Sequence, residues 1–272
     1  MALICAYPMY QMPELEPMVS AWWQGLRQHL VEQGLNHGDL PILLVDPNDY
    51  YAHWRNPDLL LSQTCGYPLT HDLQNQVQYV ATQSYQTAYT KGPNYCSLVL
   101  VHKTNTANHM SQLKGAILAV NSVDSQSGYH ALRRFIAPLS GNKRFFSEVV
   151  HSGSHRQSMA LVASGEADVC AVDCVTYGLL QIHAPATVAN LRVLTHTQST
   201  PGLPYITSLA TSPATLGKLR NGLAAAALDP TLKSIRQQLL MGPVEVITGP
   251  YPYQEIINQA DQANALGYTQ LV

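Results

Sequence analysis

Short apolar runs alternate with amphipathic helical patterns along most of this chain. Residues 3–6 form a short run of strand character. After Tyr7-Pro8-Met9-Tyr10, the residues Leu15, Met18, Val19, Trp22, Leu26 and Leu30 recur at helical spacing, which predicts an amphipathic helix. Pro13 and Glu14 suit its start and Gly34 suits its end. Residues 40–45, 59–63 and 77–81 read as further buried strands, with loops over 46–58 and 83–94; the second loop is polar and rich in tyrosine. Another alternating set then begins. Strands are predicted over 96–102, 115–120, 145–150, 168–172 and 191–195, and helices over 129–139, 156–163 and 176–182. Pro201-Gly202-Leu203-Pro204 reads as a stiff connection. Residues 214–228, 230–240 and 253–266 read as helices, with Asp229-Pro230 breaking the first from the second.

Such alternation predicts an α/β architecture with mainly parallel sheets. In these sheets ligands bind beyond the carboxyl ends of the strands. The polar and aromatic residues fall there. Tyr7 and Tyr10 follow the first strand, and Gly66 and Tyr67 the one over 59–63. Ser125, Gln126, Ser127 and Gly128 follow 115–120, His155 follows 145–150, and Asp173 ends 168–172. Ser125 and Ser127 can each cap the helix that starts at Tyr129, and Gly128 lets another group approach the backbone closely. Hydroxyls, first-turn N–H groups and a helix dipole suit an oxyanion. Tyr10 and Tyr67 can supply flat apolar walls with a phenol. An ionised Asp173 accepts but does not donate, so it would favour a protonated oxyanion over a fully ionised one. Each residue also has a plain structural use: His155 and Asp173 as helix caps, the tyrosines as core or surface aromatics.

Composition narrows the classes. Charged residues make up 12% of the chain, about half the usual share. The formal net charge is −2 and no basic block occurs, which speaks against a nucleic-acid partner. No apolar run approaches the roughly 20 residues of a membrane span. The five cysteines, Cys5, Cys65, Cys96, Cys170 and Cys174, are odd in number and lack a C-x-x-C pair, so neither a disulfide framework nor a zinc ribbon is expected. Cys170 and Cys174 read as buried small hydrophobes, and a Cys65–Cys96 bridge stays open. His151 and His155 have metal-like spacing, but Gly153 between them argues against one metal-binding helix face. No dinucleotide fingerprint, Walker loop, nucleophile elbow or zinc-protease motif is present. Ser127, His155 and Asp173 can be drawn as a triad, but spacing does not fix geometry. We therefore expect no catalytic residue, metal or cofactor. Residues 1–7 lack the charged, apolar and small-residue segments of an export leader, so the chain as written predicts a cytoplasmic protein unless a leader precedes it.

Three motifs together resemble a known family. They are Asp124-Ser125-Gln126-Ser127-Gly128-Tyr129, then Ser152-Gly153-Ser154-His155, then Gly165-Glu166-Ala167-Asp168-Val169-Cys170-Ala171-Val172-Asp173. In order and spacing they resemble the phosphate/phosphite/phosphonate-binding proteins of ABC transporters, the PhnD-like family, best over residues 96–210. The resemblance implies a type 2 periplasmic-binding-protein fold. It has two α/β lobes with mixed, mainly parallel sheets, a ligand cleft, and crossovers near Cys96 and His196. Lobe I would be 1–97 plus 201–272, and lobe II 98–200. The resemblance places Ser125, Gln126, Ser127 and Gly128 on the phosphoryl oxygens, with His155 and Asp173 completing the site. Gln126 stands where the family commonly has a small hydroxyl residue. First-lobe aromatics, here Tyr10 and Tyr67, would meet the substituent on phosphorus.

The implied function is non-catalytic binding of a phosphonate, phosphite or phosphate. The implied partners are a small anionic ligand and an ABC-transporter permease, the protein being periplasmic and a monomer or weak dimer. The rival expectation is a cytosolic sensor or enzyme on the same fold, or a different small ligand such as an amino acid or heterocycle between Tyr10 and Tyr67.

Overall fold

In the computed structural model, which describes residues 3–141, 143–249 and 251–272, the chain divides into two units. One comprises Met1–Gln86, Lys91–Pro93 and Pro201–Pro252; the other comprises Thr87–Thr90, Asn94–Thr200 and Tyr253–Val272.

The first unit is built on a five-stranded sheet in the order Ile4–Ala6, Leu59–Gln63, Pro204–Ser208, Val77–Tyr85, Met241–Glu245. The first pair is parallel. Pro204–Ser208 runs antiparallel to both of its neighbours, and Met241–Glu245 antiparallel to Val77–Tyr85. The predicted long helix spans Glu16–Glu32 after a 3-10 turn at Pro13–Leu15, and buries Trp22, Trp23, Leu26 and Leu30. It packs on the helix Pro213–Leu228. That approach needs Gly222, because a Cβ there would lie 2.6 Å from Leu30 Cδ2.

Several expectations change in this unit; among them, the predicted loop over 46–58 holds the short helix Tyr50–Trp54 and Met241–Glu245 is an unpredicted strand. Residues 40–45 form no strand: Pro41 has no N–H to give a ladder, and Ile42 and Leu43 are 68% and 70% exposed. Val45 N still donates to Cys5 O at 2.9 Å. The strand Pro204–Ser208 begins in what reads as a stiff connection, with its proline at the first position, where no ladder donor is missed. The strand from Val77 runs on to Tyr85, into the predicted loop. Its polar Gln83 stays buried because Nε2 donates to Gly242 O at 2.7 Å on the adjacent strand.

The second unit has the sheet order Glu148–His151, Ile117–Val120, Val169–Asp173, Ser97–His102, Leu191–His196. The first three strands are parallel; Ser97–His102 is antiparallel to both of its neighbours. Both sheets are thus mixed, and their antiparallel share exceeds what strand–helix alternation implies. Each parallel strand leads into a helix. Gln126–His130 is a wide π-turn continuing into the helix Ala131–Ser140; the others are His155–Ser164 and Cys174–His183. The core gathers Leu118, Val120, Leu132, Ile136, Phe145 and Phe146.

The C-terminal helix Gln254–Ala265 packs against Ala131–Ser140. This corrects the expectation that all of 201–272 belongs with the N-terminal lobe. The physical reason is Arg133, which is buried and donates to Asn264 Oδ1 (2.7 Å), Thr269 O (2.9 Å) and Tyr268 O (3.1 Å). The chain end also explains why the strand predicted from Phe145 starts at Glu148. Phe145 N and Phe146 N both donate to Val272 O, at 2.7 and 3.1 Å. Among the described residues no helix is long and apolar enough to cross a membrane.

Candidate functional site

Parallel pairing puts the carboxyl ends of Ile117–Val120, Glu148–His151 and Val169–Asp173 on one edge of the second unit's sheet. The antiparallel Ser97–His102 begins at that edge, since Ser97 stands opposite Asp173. Three helix N-termini therefore gather there, each with a capped first turn. Ser125 Oγ accepts from Gly128 N at 3.0 Å, Ser154 Oγ from Gln157 N at 3.1 Å, and Asp173 Oδ1 from Val175 N and Thr176 N at 3.1 and 2.8 Å. Side-chain caps satisfy donors that a helix start otherwise leaves open.

The π-turn brings the side chains of Ser127 and His155 together. Ser127 Oγ lies 2.9 Å from His155 Nε2, and the same ring nitrogen lies 3.5 Å from Asp173 Oδ2. Ser125, Gln126, Ser127 and Asp173 are all buried. Gly128 is needed for proximity rather than for its dihedral angle: a Cβ there would sit 1.8 Å from Asn121 Oδ1 and 3.1 Å from His155 Cε1. Burial holds the His155 pKa below the usual histidine range; Asp173 and the Ala171 backbone pull the other way without reversing it. The ring is thus biased toward its neutral form.

Of the predicted residues, Ser125, Gln126, Ser127, Gly128, His155 and Asp173 come together on this edge. Tyr10 and Tyr67 lie in the first unit. Tyr10 is buried and meets Tyr85 edge-on, with ring centroids 5.2 Å apart. Tyr67, in the first turn of Gly66–Thr70, stacks on His71 at 3.8 Å, so one of its faces is already covered.

Two residues of the constellation escape the sequence reading. Thr176 Oγ1 donates to Asp173 Oδ2 at 2.5 Å, and its position three residues after an N-cap was the available signal. Asn121 fills the space that glycine leaves at 128; nothing in its own neighbourhood in sequence marks that. Among the described residues no group of three or more His, Cys, Asp or Glu is placed to hold a metal ion.

Comparison with known proteins gives a consistent picture. Residues 55–255 match the family described as ABC transporter, phosphonate, periplasmic substrate-binding protein. No curated protein sequence matches the chain. Among solved structures, a binding-protein component of an ABC phosphonate transporter from Pseudomonas aeruginosa is similar at a TM-score of 0.78. It shares 14% identity, with 97% of this chain and 87% of that one covered. PhnD1 from Prochlorococcus marinus, in complex with methylphosphonate, gives a TM-score of 0.74 at 17% identity, covering 97% and 98%. XAC2383 from Xanthomonas citri, bound to ATP, gives 0.70 at 16% identity, also covering 97% and 98%. At these identities the likeness is one of fold.

Proposed function

This chain belongs to the periplasmic substrate-binding proteins of phosphonate ABC transporters, and from that premise we propose where and how it holds its ligand. The ligand is a small phosphorus oxyanion (a phosphonate, phosphite or phosphate), and its oxygens sit on the second unit's sheet edge. The observation that carries this reading is the contact of Ser127 Oγ with His155 Nε2 at 2.9 Å, at the start of capped helices. Helix starts favour negative charge. Ser127 supplies a hydroxyl, and an imidazole that gains a proton supplies a charge-assisted bond, worth roughly 1.5–3 kcal/mol.

Asp173 acts through its neighbours. Both of its oxygens already accept from the helix it caps, and Oδ2 faces His155. Its charge favours the imidazolium and opposes a fully ionised ligand, so it tunes which protonation state is accepted.

The same geometry favours binding over catalysis. In a hydrolytic triad the acid holds one ring nitrogen and the nucleophile meets the other. Here both Ser127 and Asp173 face Nε2, so the carboxylate does not orient the ring for proton abstraction. In this reading the protein releases its ligand unchanged to a transporter permease, and it works in the periplasm after export.

Thermal unfolding with millimolar methylphosphonate, aminoethylphosphonate, phosphite, phosphate and sulfate tests the proposal. Ligand at about 100 times its dissociation constant adds roughly 2.7 kcal/mol, so a clear upward shift with one or more phosphorus oxyanions and none with sulfate is expected. No shift with any phosphorus compound, in protein freed of carried-over ligand by unfolding and refolding, overturns it.

A further inference from the structure

Immediately beside Asp173 two thiols face each other. The antiparallel register sets Ser97 opposite Asp173. The next residues outward are Cys96 and Cys174, and Cys174 N donates to Cys96 O at 3.0 Å. Facing residues in such a hydrogen-bonded pair have Cα atoms about 5.5 Å apart and side chains on the same face. A disulfide spans about 4.4–6.8 Å. Both are buried free thiols, and Cys96 Sγ donates to Tyr89 O at 3.7 Å. Of the remaining cysteines, Cys5 and Cys65 belong to the first unit, and Cys170 lies four positions back on the strand that leads to Cys174.

We propose that Cys96 and Cys174 form an oxidisable dithiol that closes into an intramolecular disulfide at the start of the helix that Asp173 caps. The idea stands independently of which ligand the edge holds.

The chemistry is thiol–disulfide exchange with a small disulfide as oxidant. Cys96 is taken as the attacking group: its pairing with Cys174 holds its thiol below the usual range, while that pairing and then burial push Cys174 up. Cys96 thiolate forms a bond to one sulfur of the reagent, whose S–S bond breaks and releases a thiolate. Cys174 gives its proton to that thiolate, attacks the Cys96 sulfur, and expels the second half of the reagent. The second half leaves as a thiolate and takes up the proton that Cys96 released on ionising, so the protein loses two protons and two electrons in all (two hydrogen atoms, about 2 Da) and the reagent leaves as two thiols. The new bond ties the first turn of Cys174–His183 to the chain just before Ser97–His102. It encloses the intervening chain in a loop, which restricts the unfolded state.

The test uses the full, reduced chain with oxidised glutathione. One sample is treated folded. A second is unfolded and refolded in a glutathione redox buffer, so that burial cannot block access. Both are trapped with N-ethylmaleimide, and peptides are mapped by mass spectrometry. The expected result is a Cys96–Cys174 cross-linked peptide in the refolded sample, a higher unfolding temperature than the reduced chain, and loss of both in Cys96→Ser. Cys65→Ser should retain both. Full N-ethylmaleimide labelling of Cys96 and Cys174 after refolding overturns the proposal, as does a bridge between any other pair.

Discussion

Ser127 Oγ and His155 Nε2 stand 2.9 Å apart although 28 residues separate them in sequence. The contact exists because the strands that precede them, Ile117–Val120 and Glu148–His151, are parallel neighbours with His151 opposite Val120. Each turn at the end of its strand then delivers one partner. The π-turn matters here: its wider first turn lets His130 N reach back to Ser125 O at 3.0 Å, with Ser127 and Gly128 lying between.

Removing either member of this contact should weaken oxyanion binding while the fold persists. Ser127→Ala and His155→Ala are each expected to raise the dissociation constant by more than about tenfold, or roughly 1.4 kcal/mol. Calorimetric titration with the tightest ligand found by thermal shift measures this. Unchanged affinity in both variants would refute the site.

Gly128 should tolerate no side chain. A methyl group there would meet Asn121 Oδ1 at 1.8 Å, forcing it aside, and crowd His155 Cε1 at 3.1 Å. Overpacking of this kind typically costs about 1–3 kcal/mol. Gly128→Ala is expected to lower the unfolding midpoint and weaken binding together. In Asn121→Gly/Gly128→Ala the principal clash is gone, so the midpoint should recover part of the loss. No recovery in the double variant would place the strain elsewhere.

How far the sequence carried this picture depends on where each element's partners lie. The Glu16–Glu32 helix was legible because its buried face repeats locally, Trp22, Leu26 and Leu30. The clustering of Ser127, His155 and Asp173 was legible because parallel strand–turn–helix units place every turn on one edge. The strands Pro204–Ser208 and Met241–Glu245 were not. Each is completed by a distant strand, and Met241-Gly242-Pro243-Val244-Glu245 has little apolar alternation of its own. The apolar residues at 40–45 misled for the opposite reason: Leu40 is buried, but Pro41 interrupts the ladder and Ile42 and Leu43 face outward. The placement of the C-terminal helix depended on Arg133, whose carbonyl partners Tyr268 and Thr269 lie 135 and 136 positions away; no local pattern announces such a contact.

Arg133 is therefore a stability determinant of the second unit. Its guanidinium is buried and donates to carbonyls at the end of the C-terminal helix and beyond it, where the helix dipole also favours a cation. Hydrogen bonds to charged groups contribute about 1.5–3 kcal/mol each, and their carbonyl partners would be left unpaired. Arg133→Met is expected to destabilise the protein by about 2–4 kcal/mol, seen as a lower urea midpoint, and to raise amide exchange over 254–272. A midpoint within error of the parent protein would show that the C-terminal segment is held by its apolar contacts alone.

The last prediction concerns pH. Burial depresses the His155 pKa in the folded chain, whereas the unfolded chain titrates near about 6.5. Above that pH both states are neutral and the group leaves stability unchanged. As pH falls below it, the unfolded chain takes up the proton first, so stability declines with acid. His53 in the first unit, also depressed by burial, adds to the same slope, so stability alone does not isolate His155. Binding does. A bound oxyanion favours the imidazolium, which raises the folded pKa and couples ligand binding to proton uptake in the window between the free and the bound folded values. Calorimetry at about pH 6.5, the ordinary histidine midpoint, in buffers of different ionisation enthalpy should detect net uptake of a fraction of a proton per ligand. His155→Gln should reduce that uptake to the part carried by protonation of the ligand itself, while retaining some affinity through Ser127 and the helix starts. Equal uptake in the parent and in His155→Gln would assign the proton to another group.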